Sequence, residues 1–205
     1  MINILEEKSE NLKYLLCTPQ SFEGNKKHPA IIHFHGAGSR GDDPSMLEQQ
    51  AIVSYAKNKE NFPFVIFLPQ CSNNSWFDVF EQLRCFVKNV ITLPYVDENS
   101  VYLSGVSMGG YAAWQMLMSD PDIFRKAIIC CAGGMYWNAA RIKTAVWAFH
   151  GADDTTVFAE ESRKMVEAVK RSGGNAKLTE YNGVKHNCWE LTYSNPEIYC
   201  WLLDK

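Results

Sequence analysis

The sequence contains seven cysteines but no C-x-x-C pair, the spacing typical of many zinc sites and dithiol redox motifs. Seven is an odd number, and Cys130 and Cys131 are adjacent inside an apolar run. This setting favours buried free thiols over a disulfide bridge or a metal site. We therefore predict no metal centre.

A large net charge, a long apolar segment and a signal peptide are also absent. The net charge of -3 gives no overall attraction to nucleic acid or to acidic membranes, and favours a small-molecule or neutral polymer substrate. No apolar run approaches the roughly 20 residues that span a bilayer. The first letters, MINILEEKSE, lack the basic start and apolar core of a signal peptide. A cytoplasmic, reduced protein is the expectation.

Short apolar runs alternate with helical patterns along the chain. At 205 residues, a single domain spanning 1–205 is expected. The alternation predicts an α/β fold with a mostly parallel central sheet and helices on both faces. The predicted strands are 12–17, 30–36, 63–69, 101–105, 126–132, 145–151 and 176–181, and the predicted helices are 45–59, 76–90, 108–118, 158–171 and 195–203.

The pentapeptide Gly105-Val106-Ser107-Met108-Gly109 joins a predicted strand to a predicted helix. A G-x-S-x-G pattern in this context is typical of a nucleophile elbow, where a sharp, strained turn exposes the serine hydroxyl. The glycines are needed because the turn brings neighbouring backbone close. Ser107 is therefore the candidate nucleophile, and chance occurrence of the pattern is the alternative.

A serine nucleophile needs an adjacent base, usually a histidine that a carboxylate orients. Of the five histidines, His33, His35 and His150 lie in predicted strands, where a hydrogen-bonded structural role is the more common one. His186 lies in a loop after the last strand and is the candidate base. Asp153 and Asp154 follow the strand AVWAFHG, and spacing alone leaves the two aspartates open.

Acyl transfer also needs amide donors for the oxyanion. The amide of Met108, next to the nucleophile, is one candidate, and Ala37 or Gly38 in the loop after HFHG supplies the other. A plain glycine turn is the alternative for that loop. Both loops follow strands of a parallel sheet, so they meet at the carboxyl edge where such sheets bind ligands.

Five blocks in this order resemble the α/β-hydrolases, in particular the branch with short carboxylesterases, feruloyl esterases, dienelactone hydrolases and predicted peptidases of the prolyl oligopeptidase group. The blocks, which span nearly the whole chain, are IIHFHGAGSRGDD, FLPQC, VYLSGVSMGGYAAW, FHGADDTTV and KHNCWE. The resemblance implies the α/β-hydrolase fold, Asp154 as the triad acid, His186 as the base, and Ala37 with Met108 as the oxyanion hole. Ser39 stands where a glutamate is more usual.

The resemblance also implies an esterase that forms an acyl-enzyme and requires no cofactor. Short-chain acyl or cinnamoyl esters, including those of carbohydrates, are the expected substrates. Serine at the elbow argues against dienelactone hydrolase chemistry proper. A peptidase or thioesterase with the same triad, and a non-catalytic binding protein on this scaffold, are the alternatives. The sequence makes no prediction of oligomeric state.

The segment between the strands ending at Ala132 and beginning near Thr144 is short, which predicts little or no lid and an open cleft. Substrate contacts are expected from Gly38, Gln70, Trp76, Trp137 and Trp189. The three tryptophans lie in loops or near strand ends, where they form an aromatic wall or, alternatively, pack in the core.

Overall fold

One sheet of eight strands organises the chain. The computed structural model describes residues 2–9 and 12–204; the remaining positions of the predicted 1–205 domain, Met1, Glu10, Asn11 and Lys205, lie outside the described residues. The strands are β1 (Ile2–Lys8), β2 (Lys13–Pro19), β3 (His28–Phe34), β4 (Val65–Pro69), β5 (Val96–Val106), β6 (Lys126–Cys130), β7 (Ala145–Gly151) and β8 (Ala176–Tyr181).

The strand order is β1-β2-β4-β3-β5-β6-β7-β8. The strands from β4 to β8 in this order run parallel, whereas β1 pairs antiparallel with β2, and β2 with β4. The prediction of a mostly parallel sheet is therefore confirmed. At its centre, Phe34 of β3 lies opposite Gly105 of β5, and Val106 lies opposite Cys130 of β6. This register brings the ends of three strands to one edge.

Helices cover both faces of the sheet. The α-helices are α1 (Ala51–Lys57), α2 (Phe80–Ile91), α3 (Met108–Ser119), α4 (Glu160–Arg171), α5 (Trp189–Ser194) and α6 (Pro196–Leu203), and short 3-10 helices cover Ala37–Ser39, Pro44–Gln49, Trp76–Val79 and Tyr136–Arg141.

Two apolar layers result, because successive side chains of a strand point to opposite faces. Ile32 of β3 packs in the layer that contains the buried residues of α2, α3 and α4. Its neighbour Ile31 packs in the layer formed with α1, α5 and α6. The sheet is thus buried on both sides, which explains the continuous apolar letters of its central strands.

Two predicted helices are divided in the structure. The predicted helix 45–59 consists of the 3-10 helix Pro44–Gln49 and α1, separated at Gln50, whose backbone is extended (φ -62, ψ 138). The predicted helix 76–90 begins with a 3-10 turn, and Phe77 is 54% exposed instead of lying on its buried face. In both cases the apolar spacing located the helical region but not the change of helix type.

Among the strands and α-helices, β1 and α5 are not among the predicted elements. Strand β1 alternates between partly buried and exposed residues and ends in Glu6, Glu7 and Lys8, so it lacks the continuous apolar run of the inner strands. Helix α5 is a single short element directly after the His186 loop. Both lie outside the central parallel strands, where burial on both faces gives a continuous apolar pattern.

The connection between β6 and β7, residues 131–144, contains one short 3-10 helix, in agreement with the prediction of little or no lid. Within residues 2–9 and 12–204, no helix combines the length and the apolar character needed to cross a bilayer.

Candidate active site

Ser107 occupies a strained turn between β5 and α3, with φ 51 and ψ -120. A non-glycine residue in such a backbone conformation costs about 1–3 kcal/mol. The neighbouring glycines are sterically required. A Cβ atom on Gly105 would lie 2.5 Å from the Gly109 carbonyl oxygen, and one on Gly109 would lie 2.1 Å from that of Phe34. The G-x-S-x-G pattern thus corresponds to a tight strand-turn-helix junction.

The Ser107 hydroxyl is hydrogen-bonded to His186, which in turn is hydrogen-bonded to Asp154. Ser107 Oγ lies 2.8 Å from His186 Nε2, and His186 Nδ1 lies 2.7 Å from Asp154 Oδ2. Because a carboxylate only accepts, Nδ1 carries the ring proton and Nε2 is free to accept from the serine. The His186 side chain is 21% exposed, so the serine end of this chain is reachable from solvent.

Asp154 is buried and hydrogen-bonded to His186, whereas Asp153 is exposed. Asp154 Oδ1 accepts hydrogen bonds from the amides of Thr156 (2.8 Å) and Val157 (3.0 Å). Burial raises the pKa of the Asp154 carboxyl, but the hydrogen bonds from His186, Val157 and Thr156 outweigh burial and bring the pKa below its usual value. The carboxylate is therefore ionised at neutral pH.

The loop after β3 lies directly beside the elbow. A Cβ atom on Gly36 would be 3.5 Å from Ser107 Cβ. Ala37 begins a 3-10 helix and Met108 begins α3, positions at which an amide has no acceptor within its own helix. Ala37 lines the same cleft as Ser107, and Met108 follows Ser107 in the chain, so these two amides remain the candidate donors.

Buried side chains hold this loop in place. Burial lowers the pKa of His35 to about 4, so the ring is neutral. Its Nε2 accepts from the Cys71 amide (3.0 Å), which leaves Nδ1–H to donate to the Gly36 carbonyl (2.7 Å). Trp76 Nε1 donates to the His35 carbonyl (3.0 Å), and Gln70 Nε2 donates to the Ser39 carbonyl (2.7 Å).

Two of the predicted substrate contacts are corrected by these observations. Trp76 is fully buried in the core, and Gln70 is buried beneath the loop. Neither lines the cleft at Ser107. Their polar atoms hold backbone carbonyls of the loop, which is a supporting role that residue type and strand position alone do not reveal.

A cleft of about 470 Å³ opens at Ser107 and His186. Gly38 and Trp189, two of the residues expected to contact substrate, line this cleft, and the Trp189 ring meets the His186 ring edge to face with 5.3 Å between centroids. The other lining residues are Gly36, Ala37, Ser39, Met46, Gln49, Gln50, Val106 and Thr156.

Trp137 does not line this cleft. It is 72% exposed and belongs to a separate apolar groove of about 540 Å³ formed with side chains of α2 and α3, including Phe80, Tyr111 and Met118. Of the three tryptophans, Trp76 therefore follows the alternative of core packing, the aromatic-wall prediction is wrong for Trp137, and Trp189 is the one that lines the cleft.

Gln50 is a cleft residue that the sequence analysis missed. Its Nε2 donates to Ser39 Oγ (2.9 Å), and its Oε1 accepts from His33 Nε2 (3.3 Å). Burial lowers the pKa of His33 to about 3, and Ser104 Oγ bonds its other ring nitrogen (3.0 Å). No local signal in the sequence marks Gln50, because it ends one helical stretch and precedes another.

His150 also contacts Asp154 and was assigned to a strand in the sequence analysis. Its Nε2 lies 3.2 Å from Asp154 Oδ2, on a fully buried side chain. Two histidine rings therefore meet one carboxylate oxygen.

Cysteines pack behind the catalytic candidates. Cys130, Cys131 and Cys188 are buried and free, as predicted for Cys130 and Cys131. Cys131 has a positive φ of 52, and its thiol donates to the His186 carbonyl (3.0 Å). In the described part of the chain, Cys131, His150 and Asp154 are the group of potential metal ligands that converges. Their donor atoms are already engaged with protein partners, so the arrangement is that of a packed hydrogen-bonded cluster.

Residues 43–192 match the model of the Dienelactone hydrolase family. A solved structure of a thermostable esterase has 30% sequence identity over 98% of this chain, with a TM-score of 0.82. The chain spans 62% of the length of that esterase. A comparison with curated proteins finds no match.

Two more distant structures share the fold. Est1E from Butyrivibrio proteoclasticus is 15% identical, with 98% of this chain and 99% of that chain covered and a TM-score of 0.75. Dipeptidyl peptidase 4 from Porphyromonas gingivalis is 14% identical, with 100% of this chain and 35% of that chain covered and a TM-score of 0.72. The expected α/β-hydrolase fold is confirmed.

Proposed function

The chain belongs to the Dienelactone hydrolase family of α/β-hydrolases, and on that premise we propose that it is a serine hydrolase that cleaves carboxylic esters through an acyl-enzyme. The observation that carries the proposal is the continuous hydrogen-bonded chain from Ser107 through His186 to Asp154. A serine hydroxyl is a weak nucleophile by itself, and an adjacent oriented base activates it.

Acylation begins when His186 Nε2 takes the Ser107 proton as Oγ attacks the ester carbonyl carbon. The Asp154 carboxylate, bonded to Nδ1–H, holds the ring in the correct tautomer and stabilises the imidazolium that forms. The amides of Ala37 and Met108 donate to the oxyanion of the tetrahedral intermediate. Such preorganised donors often make the largest single contribution to catalysis.

The intermediate collapses when His186 returns its proton to the leaving alcohol oxygen, and the acyl group remains on Ser107. A water molecule then gives a proton to His186 and attacks the acyl carbonyl. A second tetrahedral intermediate forms, His186 protonates Ser107 Oγ, and the free acid departs. No cofactor or metal is required by this sequence of steps.

The lining of the cleft supports a neutral ester of modest size. Among the described residues that form it, His186 is the titratable one, and the rest are small, amide, hydroxyl or apolar side chains. Met46 and Trp189 supply apolar surface for an acyl group, and Gln49 and Ser39 supply polar groups for the alcohol. We propose short-chain acyl or cinnamoyl esters of small alcohols or carbohydrates as substrates.

Hydrolysis of p-nitrophenyl acetate, butyrate and octanoate by the wild type and by Ser107→Ala tests the proposal. We expect activity in the wild type alone, falling with chain length, because the acyl group must fit beside Ser107. Removal of a triad nucleophile lowers kcat by about 10⁶-fold in related chemistry. Equal rates in both proteins would contradict the catalytic assignment.

The alternatives predict different outcomes. A peptidase or thioesterase would prefer an anilide or thioester over an ester of the same acyl group. A non-catalytic binding protein would show no covalent labelling of Ser107 by a fluorophosphonate, read by intact-protein mass spectrometry.

A further inference from the structure

His150 lies at the end of β7 with both ring nitrogens engaged and its side chain fully buried. Nε2 lies 2.9 Å from the Val157 carbonyl oxygen and 3.2 Å from Asp154 Oδ2. Nδ1 lies 2.7 Å from Ser162 Oγ, at the start of α4. The ring therefore joins the strand, the loop that carries Asp154 and the following helix.

These partners determine which ring nitrogens carry a proton. A carbonyl and a carboxylate both accept, so Nε2 must carry a hydrogen that is shared between Val157 and Asp154. Ser162 Oγ donates its single hydrogen to the Ala132 carbonyl (2.9 Å), so it accepts the hydrogen bond from Nδ1 of the ring. His150 thus presents an N–H to the carboxylate, whereas a lone pair at Nε2 would face two oxygen atoms and be repelled.

We infer that His150 is a positioning residue for the triad, which holds Asp154 Oδ2 in line with His186 from a second direction. This inference rests on the proposed function. With His150, both carboxylate oxygens have two donors: the Thr156 and Val157 amides at Oδ1, and the His186 and His150 rings at Oδ2. Because hydrogen bonds hold both oxygens, the carboxylate is restricted to one orientation. The His186 ring, which is hydrogen-bonded to it, is thereby restricted to one orientation as well.

The His150 ring also stabilises the loop of residues 154–157, which carries the Asp154 carboxylate. The Val157 amide donates to Asp154 while the Val157 carbonyl accepts from His150. The carboxylate, the Val157 peptide and the His150 ring therefore form a closed hydrogen-bonded circuit. Loss of the ring N–H opens this circuit and lets the carboxylate rotate away from His186.

The first measurement uses the wild-type protein labelled with ¹⁵N-histidine. NMR of the ring nitrogens distinguishes a protonated from an unprotonated nitrogen, and the spectrum of His150→Gln identifies the His150 signals by their loss. We expect a protonated Nε2 at neutral pH. An unprotonated Nε2 would overturn the inference, and this result does not depend on activity.

The second measurement compares His150→Gln, which retains an N–H at the position of Nε2, with His150→Met, which has similar length and no donor. With p-nitrophenyl butyrate, we expect His150→Met to lower kcat by about 10-fold or more, the effect of one lost hydrogen bond to a charged group. We expect KM to be unchanged and His150→Gln to recover most of kcat, because the substrate does not touch residue 150.

Circular dichroism and thermal melts establish that both variants are folded, and Ser107→Ala, measured alongside them, separates the two proposals. If the activity of the wild type depends on Ser107 and His150→Met is equally active, the positioning role of His150 is overturned and the proposed function stands. Equal loss in both His150 variants would also overturn it, since size and not the N–H would then matter. A wild type without Ser107-dependent activity would overturn the proposed function, and with it the positioning role.

Discussion

Asp154 is the residue on which the buried polar contacts of the site converge. Four donors reach its two carboxylate oxygens, and the folded chain therefore binds the ionised form in preference to the protonated form. The price of burying a charge is offset because each oxygen is hydrogen-bonded. The same residue thus links the proposed catalysis to stability.

We expect the stability contributed by Asp154 to depend on pH. Its pKa in the folded chain lies below the ordinary value of 3.8, because its hydrogen bonds outweigh the effect of burial. The unfolded chain therefore binds the proton first as pH falls. The contribution is complete above the unfolded pKa and is lost as pH falls through the lower, folded pKa.

Thermal melts of the wild type and Asp154→Asn between about pH 7 and pH 3 measure this contribution. The wild type should have the higher Tm at neutral pH, and the difference should shrink below about pH 4. A difference that stays constant over this range would contradict the expectation. The same variant should lower kcat by about 10³- to 10⁴-fold, since the amide favours the wrong His186 tautomer.

At the scale of elements, the elbow depends on the close approach of α3 to the end of β3. Gly109 is the second residue of α3, and its Cα faces the carbonyls of Phe34 and His35. Backbone atoms on both sides leave no flexible side chain to move aside. Helix α3 can therefore approach β3 this closely only because residue 109 has no side chain.

Gly109→Ala should lower the free energy of unfolding by about 3 kcal/mol, because a Cβ at that position forces backbone apart. Gly38→Ala is the matched control. A Cβ on Gly38 meets no atom within 4 Å, so its effect should stay within about 0.5 kcal/mol. Urea unfolding of both variants measures the two free energies of unfolding. Equal values would mean that the backbone around Gly109 makes room for a Cβ atom at little cost.

Elements with a continuous apolar run were predictable from sequence, since burial on both faces imposes that pattern. Strands β7 and β8 were predicted with their observed bounds. The division of the predicted helix 45–59 was not predictable from spacing, because Gln50 leaves the helical conformation under tertiary constraints. The antiparallel edge strand β1 has a weaker pattern because one of its faces is exposed.

At the scale of the whole molecule, the sheet brings together groups that are far apart in sequence. The contact among Ser107, Asp154 and His186 was predictable because each residue follows a recognisable strand and because the family resemblance gives their order along the chain. The contact of His150 with Asp154 depends on how the loop folds back on its own strand, which no spacing encodes. Likewise, Trp76 became a core residue because the chain after β4 turns inward over His35.

If the chain is the esterase proposed above, the short segment 131–144 also determines how it acts on a poorly soluble ester. Among the described residues, its one helix is the short 3-10 helix Tyr136–Arg141, which does not line the cleft at Ser107 and so does not have to open before hydrolysis begins. Turnover should therefore follow the concentration of dissolved ester, without a jump when tributyrin passes its solubility limit and forms droplets. Titration of released acid across that limit gives the answer, and a steep rise beyond it would mean that a loop at the cleft mouth moves on contact with lipid.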